Sequence, residues 1–275
     1  MPLVLDRVDA VVLAGGLNKI PLSNGQTPDY TALIPFQERA SLCYTLDALQ
    51  HLPQVGRICV VGPEEALRPA IGAQALRLSF VPAGETLIES IYRGLEHFSD
   101  APLVMLISAD APLITPAAIQ AFLINCQRIE SDYTENLYLP VVPQRCFTGA
   151  YAPIVTGFSR FRDVTIRYGN LMLADPRLLL NPQVTRRMNA LYRSRQHPIT
   201  TALTIGLGVG LSYVLGVHLW HLLALDQMSR LASKRFGLGL IPVMMDYPEI
   251  SIDVDEPTDY AFVAERLTNQ PSATE

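Results

Sequence analysis

Three aspartates sit where an extended chain meets a turn. In ISADAPLITP, Asp110 follows the apolar run Leu103 to Ile107 and precedes Pro112; in IDVDEPTDY, Asp253 and Asp255 flank Val254. Alternate residues of an extended chain share a face, so Asp253 and Asp255 point the same way. Crowded carboxylates are unfavourable unless a cation or a solvated cleft relieves them. Mg²⁺ typically takes one or two protein carboxylates and completes its shell with water and substrate phosphate, and a carboxylate just beyond a buried strand suits that role. A turn or helix-cap role is the alternative for Asp110 and for one of the pair ahead of Pro257. The fourth candidate is Leu13, Ala14, Gly15 and Gly16, whose small residues let successive backbone N–H groups approach an anion or a base edge. A tight strand-to-loop turn explains the same four residues without a ligand.

The elements that must position these residues are legible from periodicity. Asp9 to Leu13, Arg57 to Val61, Leu78 to Val81 and Leu103 to Ile107 read as short buried strands. Helices are expected between them: after Ser41 as far as Pro53, around Glu64 to Leu67, across Leu87, Ile91 and Leu95, and from the cap Thr115-Pro116 to about Arg128. Strands apolar on both faces, alternating with helices, predict a Rossmann-like α/β domain with a mostly parallel sheet covered on both faces. Sites in such sheets lie beyond the carboxyl ends of the strands, where LAGG and Asp110 fall. Leu137 to Val142, Leu171 to Ala174 and Leu238 to Met245 read as later strands, and IDVDEPTDY leads into a final capped helix. The expected organisation is one domain over 1–275 with a helical insertion at 177–238.

Composition excludes several classes. Of 275 residues, 49% are hydrophobic and 17% charged, which is the profile of an ordered globular chain. A formal net charge of −5 argues against a general nucleic-acid binder. Cys43, Cys59, Cys126 and Cys146 lack metal-ligand spacing and read as reduced thiols. With no basic leader at the N-terminus, a cytoplasmic location is expected. Ile199 to Leu225 carries no Asp, Glu, Lys or Arg and is long enough for a membrane span. Its four glycines weaken a single straight helix, so a buried helical pair or a membrane-apposed surface is expected instead. His218 and His221 in it read as core or interface residues, and Gly206-x-Gly208-x-Gly210 follows no strand, which removes it as a dinucleotide fingerprint.

Taken together and in order, LAGG, Ala32-Leu33-x-Pro35, Asp110-x-Pro112 and Asp253-x-Asp255-x-Pro257-x-Asp259 resemble the nucleotidyltransferases with a MobA-like NTP-transferase domain, which have a GT-A-like fold. Gly169 and Asn170 match that branch's GGN segment. The resemblance implies an enzyme that joins a nucleoside triphosphate to a phosphorylated small-molecule acceptor and releases pyrophosphate. It implies Asp110 and Asp255 as Mg²⁺ ligands with Asp253 as a substitute, Leu13 to Gly16 with Ser90 and Arg93 at the nucleotide, and Gly169 and Asn170 toward the acceptor. Arg193 and Arg195, in a cluster with Arg186 and Arg187, are candidates for the acceptor, a membrane surface or a solvated helix face.

The departures concern charge. The family's arginine after LAGG falls at Ile20, with Lys19 one residue early, and its lysine before AL-x-P falls at Thr31. Its G-K-P turn reads Glu38-Arg39-Ala40, so Lys19 and Arg39 are the candidate replacement cations. A preorganised charge on a transferring phosphate contributes about 3–4 kcal/mol. Two further readings therefore stand beside the enzyme: a catalytically impaired nucleotide-binding or regulatory paralogue, and a membrane-apposed protein acting through 199–225.

Overall fold

The structure is a computed structural model that describes all residues except 1–4, 6, 22–26, 134, 178–183, 185–222 and 270–275. Almost the whole 199–225 segment, Arg193 and Arg195 lie outside the described residues. Among those described, no helix is long and apolar enough to cross a membrane.

Strands β1 (Val8–Leu13), β4 (Val55–Val61), β5 (Leu78–Val81) and β6 (Val104–Ser108) run parallel in the order β5-β4-β1-β6. Between them come the β2 (Pro35–Phe36) and β3 (Arg39–Ala40) hairpin and helices α1 (Ser41–Gln50), α2 (Glu64–Ile71) and α3 (Leu87–His97). Helix α4 (Pro116–Gln127) follows β6. The second half changes direction. After β7 (Asn136–Pro143) come β8 (Ser159–Arg160), β9 (Thr165–Tyr168) and β10 (Leu171–Ala174), and β10 enters antiparallel between β6 and β7. Helix α5 (Leu225–Phe236) leads to β11 (Gly239–Met244), parallel to β7, and α6 (Pro257–Asn269) closes the described chain. The sheet is thus mixed: β9 and β10 are joined by two residues, too few for a crossover helix, and each runs antiparallel to β7.

Alternation along each strand divides the core. Val8, Ala10, Val12, Val60, Met105 and Ile107 face α1, α2 and α4, whereas Val11, Cys59, Val61, Val104 and Leu106 face α3 and Phe236 of α5. The expected cap at Thr115 forms, its hydroxyl accepting from the Ala118 N–H, and Thr86 caps α3 in the same way through the Glu89 N–H. Ser41 does not cap α1: it is the first residue of the helix, and its hydroxyl donates instead to the Ala109 carbonyl at 2.9 Å. Register then places the chemistry. Leu13 pairs with Ser108, so β1 and β6 end side by side and deliver LAGG and Ser108-Ala109-Asp110 to one edge of the sheet.

Candidate active site

Close packing explains the glycines of LAGG. A β-carbon on Gly15 would stand 2.6 Å from the Ala83 side chain, and one on Gly16 would stand 3.0 Å from the Thr31 hydroxyl. Only glycine lets the first turn, the β5–α3 loop and Thr31 meet. The Leu13 carbonyl accepts from the Ala109 N–H at 3.0 Å, and the Gly16 carbonyl accepts from the Thr31 N–H at 2.9 Å. Among the described residues nothing accepts from the Gly15 or Gly16 N–H. The turn therefore offers two adjacent donors for an anion.

The β5–α3 loop is held by the two residues expected at the nucleotide. The Gly84 N–H donates to the Ser90 hydroxyl at 3.0 Å, and Arg93 donates to the Ala83 carbonyl at 2.9 Å while pairing with Glu89 at 2.8 Å. Ser90 is buried. Their polar groups are committed to the protein, so they shape the wall beside Gly15.

The carboxylates converge. Val254 is fully buried and packs with Ile20, Ile34, Phe36 and Leu113, which turns Asp253 and Asp255 the other way. Its N–H donates to the Asp110 carbonyl at 3.1 Å, pinning the late strand to the end of β6. Burial, and secondarily the Asp255 charge, pushes the Asp110 carboxyl up; hydrogen bonds from the Ser108 and Thr31 hydroxyls oppose the shift. Burial, followed by the Asp255 and Asp110 charges, pushes Asp253 up to about 6, with Arg167 opposing. The Asp255 charge bears on both Asp110 and Asp253, and the Asp110 charge on Asp253, so the three carboxylates lie near one another. Asp255 is exposed, and its N–H with that of Glu256 donates to Asp259, which caps α6.

Carboxylate oxygens that crowd one another at the edge of a cleft fit a hard divalent cation. Among the described residues no three His, Cys, Asp or Glu side chains are grouped so that all could hold one metal ion. Mg²⁺ needs no such trio, since it keeps waters and substrate oxygens in its shell.

The profile of the MobA-like NTP transferase domain matches residues 10–162, more than half of the chain. The chain belongs to that family. A structure described as a hypothetical transferase from Thermus thermophilus is 25% identical, with a TM-score of 0.73 over 92% of this chain and 99% of that one. The 2-C-methyl-D-erythritol 4-phosphate cytidylyltransferase from Thermus thermophilus shares 17% identity at a TM-score of 0.52, over 96% of this chain and all of that one. A CMP:2-keto-3-deoxy-manno-octonic acid synthetase complexed with CTP shares 10% identity at 0.56, over 95% and 98%. These last two establish the fold alone. No curated protein matches the chain.

Against the family pattern, the structure gives each missing cation a physical context. Ile20, at the arginine position, is 2% exposed in the cluster that also buries Val254. Thr31, at the lysine position, ties Gly16 to Asp110. Arg39 pairs with Asp47 at 2.6 Å and stacks over Tyr44 of α1, so its charge is directed along that helix. Lys19 is exposed beside the turn. The β2–β3 turn puts Gln37 and Glu38 at φ 49° and 66°, and Glu38 occupies the place of the family's glycine.

Of the two residues expected toward an acceptor, Gly169 is pressed against Pro140, and its N–H donates to the Pro140 carbonyl at 2.9 Å. The Asn170 carbonyl accepts from the Ser108 N–H at 2.9 Å, next to the Asp110 strand end, and its side-chain amide nitrogen is buried without a partner. Sequence reasoning missed Arg167. Its guanidinium reaches Asp253 at 3.4 Å from β9, a two-sided position where a lone cation inside the run TIRY was the available signal. Ser108 was missed as well, although its place two residues before Asp110 marks it as a same-face neighbour on an extended chain.

Proposed function

We propose that the protein is a Mg²⁺-dependent nucleotidyltransferase that moves a nucleotidyl group from an NTP to a phosphorylated small-molecule acceptor and releases pyrophosphate. The observation that carries the reading is the Val254 N–H to Asp110 carbonyl bond, which brings Asp110 and Asp255 together at the strand end beside Gly15 and Gly16. Asp110 and Asp255 would hold the metal, with Ser108 orienting Asp110. Bound there, Mg²⁺ supplies charge neutralisation to the substrate phosphates.

The protein's own groups bind and orient. The Gly15 and Gly16 N–H groups receive phosphate oxygens, and the wall held by Ser90 and Arg93 borders the nucleotide. The buried Asn170 amide provides a donor toward the acceptor. An acceptor phosphate oxygen attacks the α-phosphorus, the bond to the β-phosphate oxygen breaks, and pyrophosphate leaves with the electron pair. No protein nucleophile is needed, because positioning and neutralisation carry phosphoryl chemistry. Lys19 is the cation available from the signature loop, since no Lys or Arg lies between it and Arg39. We place the activity in one domain over 1–275, with 177–238 as an insertion and Arg193 and Arg195 as further acceptor candidates, in the cytoplasm.

The test is pyrophosphate release with each NTP and Mg²⁺ against a panel of sugar phosphates and polyol phosphates. CTP comes first, because the cytidylyltransferase and synthetase neighbours share the fold. Release with one pair, abolished in D110N, supports the reading. The second reading, a nucleotide-binding paralogue without turnover, is favoured by the burial of Ile20 and the capture of Arg39 by Asp47. It gives NTP binding without pyrophosphate. A membrane-apposed role for 199–225 is tested by liposome partitioning of the whole chain against a deletion of that segment.

A further inference from the structure

We infer that Arg167 is a positioning residue that holds Asp253 away from the metal and leaves Asp110 and Asp255 as its protein ligands; the inference rests on the Mg²⁺ reading above. Arg167 is nearly enclosed, its side chain 14% exposed. Three groups from two chain segments fix it: Nε donates to the Ser251 carbonyl at 2.8 Å, Nη1 to the Thr156 carbonyl at 2.9 Å, and Nη2 to Asp253 Oδ1 at 3.4 Å. Two carbonyls thus set the plane of the guanidinium and aim its remaining edge at one carboxylate.

A separate observation shows that the surroundings are built for this group. Gly157 has φ 76°, and a β-carbon there would stand 3.0 Å from Nη1. The left-handed backbone and the missing side chain let the chain close over the guanidinium. A buried ion pair is poor evidence for stability, because desolvation offsets the attraction; fixing a geometry is its better-attested use.

The consequence falls unequally on the two late aspartates. Asp253 has an oxygen committed to a cation, and that cation repels a divalent ion approaching the same carboxylate. Asp255, one pleat further on, is exposed, and among the described residues no Lys or Arg pairs with it. The alternation that puts both on one face therefore yields two roles: Asp255 meets the metal, and Asp253 anchors the strand through Arg167.

The experiment is equilibrium binding of Mn²⁺, read from the electron paramagnetic resonance signal of the free ion, in wild type, D253N, D255N, R167Q and R167Q/D255N. D255N is expected to weaken Mn²⁺ binding at least about tenfold and D253N less than about threefold, since affinity follows the charge of the actual ligands. R167Q releases Asp253, so R167Q/D255N is expected to bind Mn²⁺ at least about threefold more tightly than D255N. A purely structural arginine gives the opposite, a further loss. Equal losses in D253N and D255N, or a further loss in the double variant, overturn the inference while leaving the metal reading intact. Absence of Mn²⁺ binding to wild type overturns both. The D253N and D255N comparison decides the matter by itself if R167Q fails to fold.

Discussion

Without metal, Asp253 makes the protein's stability depend on pH in a direction opposite to ordinary acid denaturation. Burial and its two aspartate neighbours raise its carboxyl from the ordinary 3.8 to about 6 in the folded state. The folded protein therefore holds a proton there more tightly than the unfolded chain does. The resulting stabilisation is complete below the unfolded value and is lost as pH rises through the folded value. Between about pH 5 and pH 7.5 the loss amounts to about 1.4 kcal/mol, because the folded carboxyl holds its proton for only about one unit above pH 5. D253N keeps the shape and removes the titration. Urea denaturation of both proteins in chelator, at the two pH values, isolates the effect as a difference of differences. Wild type is expected to lose stability relative to D253N on going to the higher pH. A stability gap that is the same at both pH values refutes the argument that Asp253 is buried beside like charges.

Other consequences follow from single contacts. Asp110→Asn removes the carboxylate at the end of β6 while sparing its backbone bond to Val254, so pyrophosphate release is expected to fall by about 100-fold or more with the fold retained by circular dichroism. Gly15→Ala places a methyl 2.6 Å from Ala83; calorimetry is expected to show weakened NTP binding, since the β5–α3 wall must move. Glu38→Gly relieves a left-handed residue at φ 66°, and stability is expected to rise by about 1 kcal/mol, or about 2–4 °C in Tm. Ile20→Arg restores the family's cation into a position that is 2% exposed, so urea denaturation is expected to report a loss of about 3 kcal/mol or more rather than a gain in activity.

The sequence carried the first half of the fold because its strands are short apolar runs separated by helical spacing, and Thr115-Pro116 marks the start of α4. The second half was harder to read. Strand β10 runs antiparallel between β6 and β7, and its place there depends on the Gly169-Asn170 link from β9, whose backbone bonds go to Pro140 and Ile250 far along the chain. The carboxylates were legible because Asp253 and Asp255 alternate around an apolar residue, and period-two spacing survives folding. Cations were not, because their partners are tertiary. Arg39 stands where a signature cation belongs, and Asp47 on α1 captures it. Arg167 looks like one charge in a short strand and becomes part of the site only when Thr156 and Ser251 close around it.

The most direct test of the central claim is calorimetric titration of the four common ribonucleoside triphosphates into wild type and D110N, each with and without Mg²⁺. At least one NTP is expected to bind wild type in a Mg²⁺-dependent manner and to lose that dependence in D110N. If no NTP binds, or if one binds equally well to D110N and without Mg²⁺, then Asp110 and the LAGG turn do not form a metal-nucleotide site.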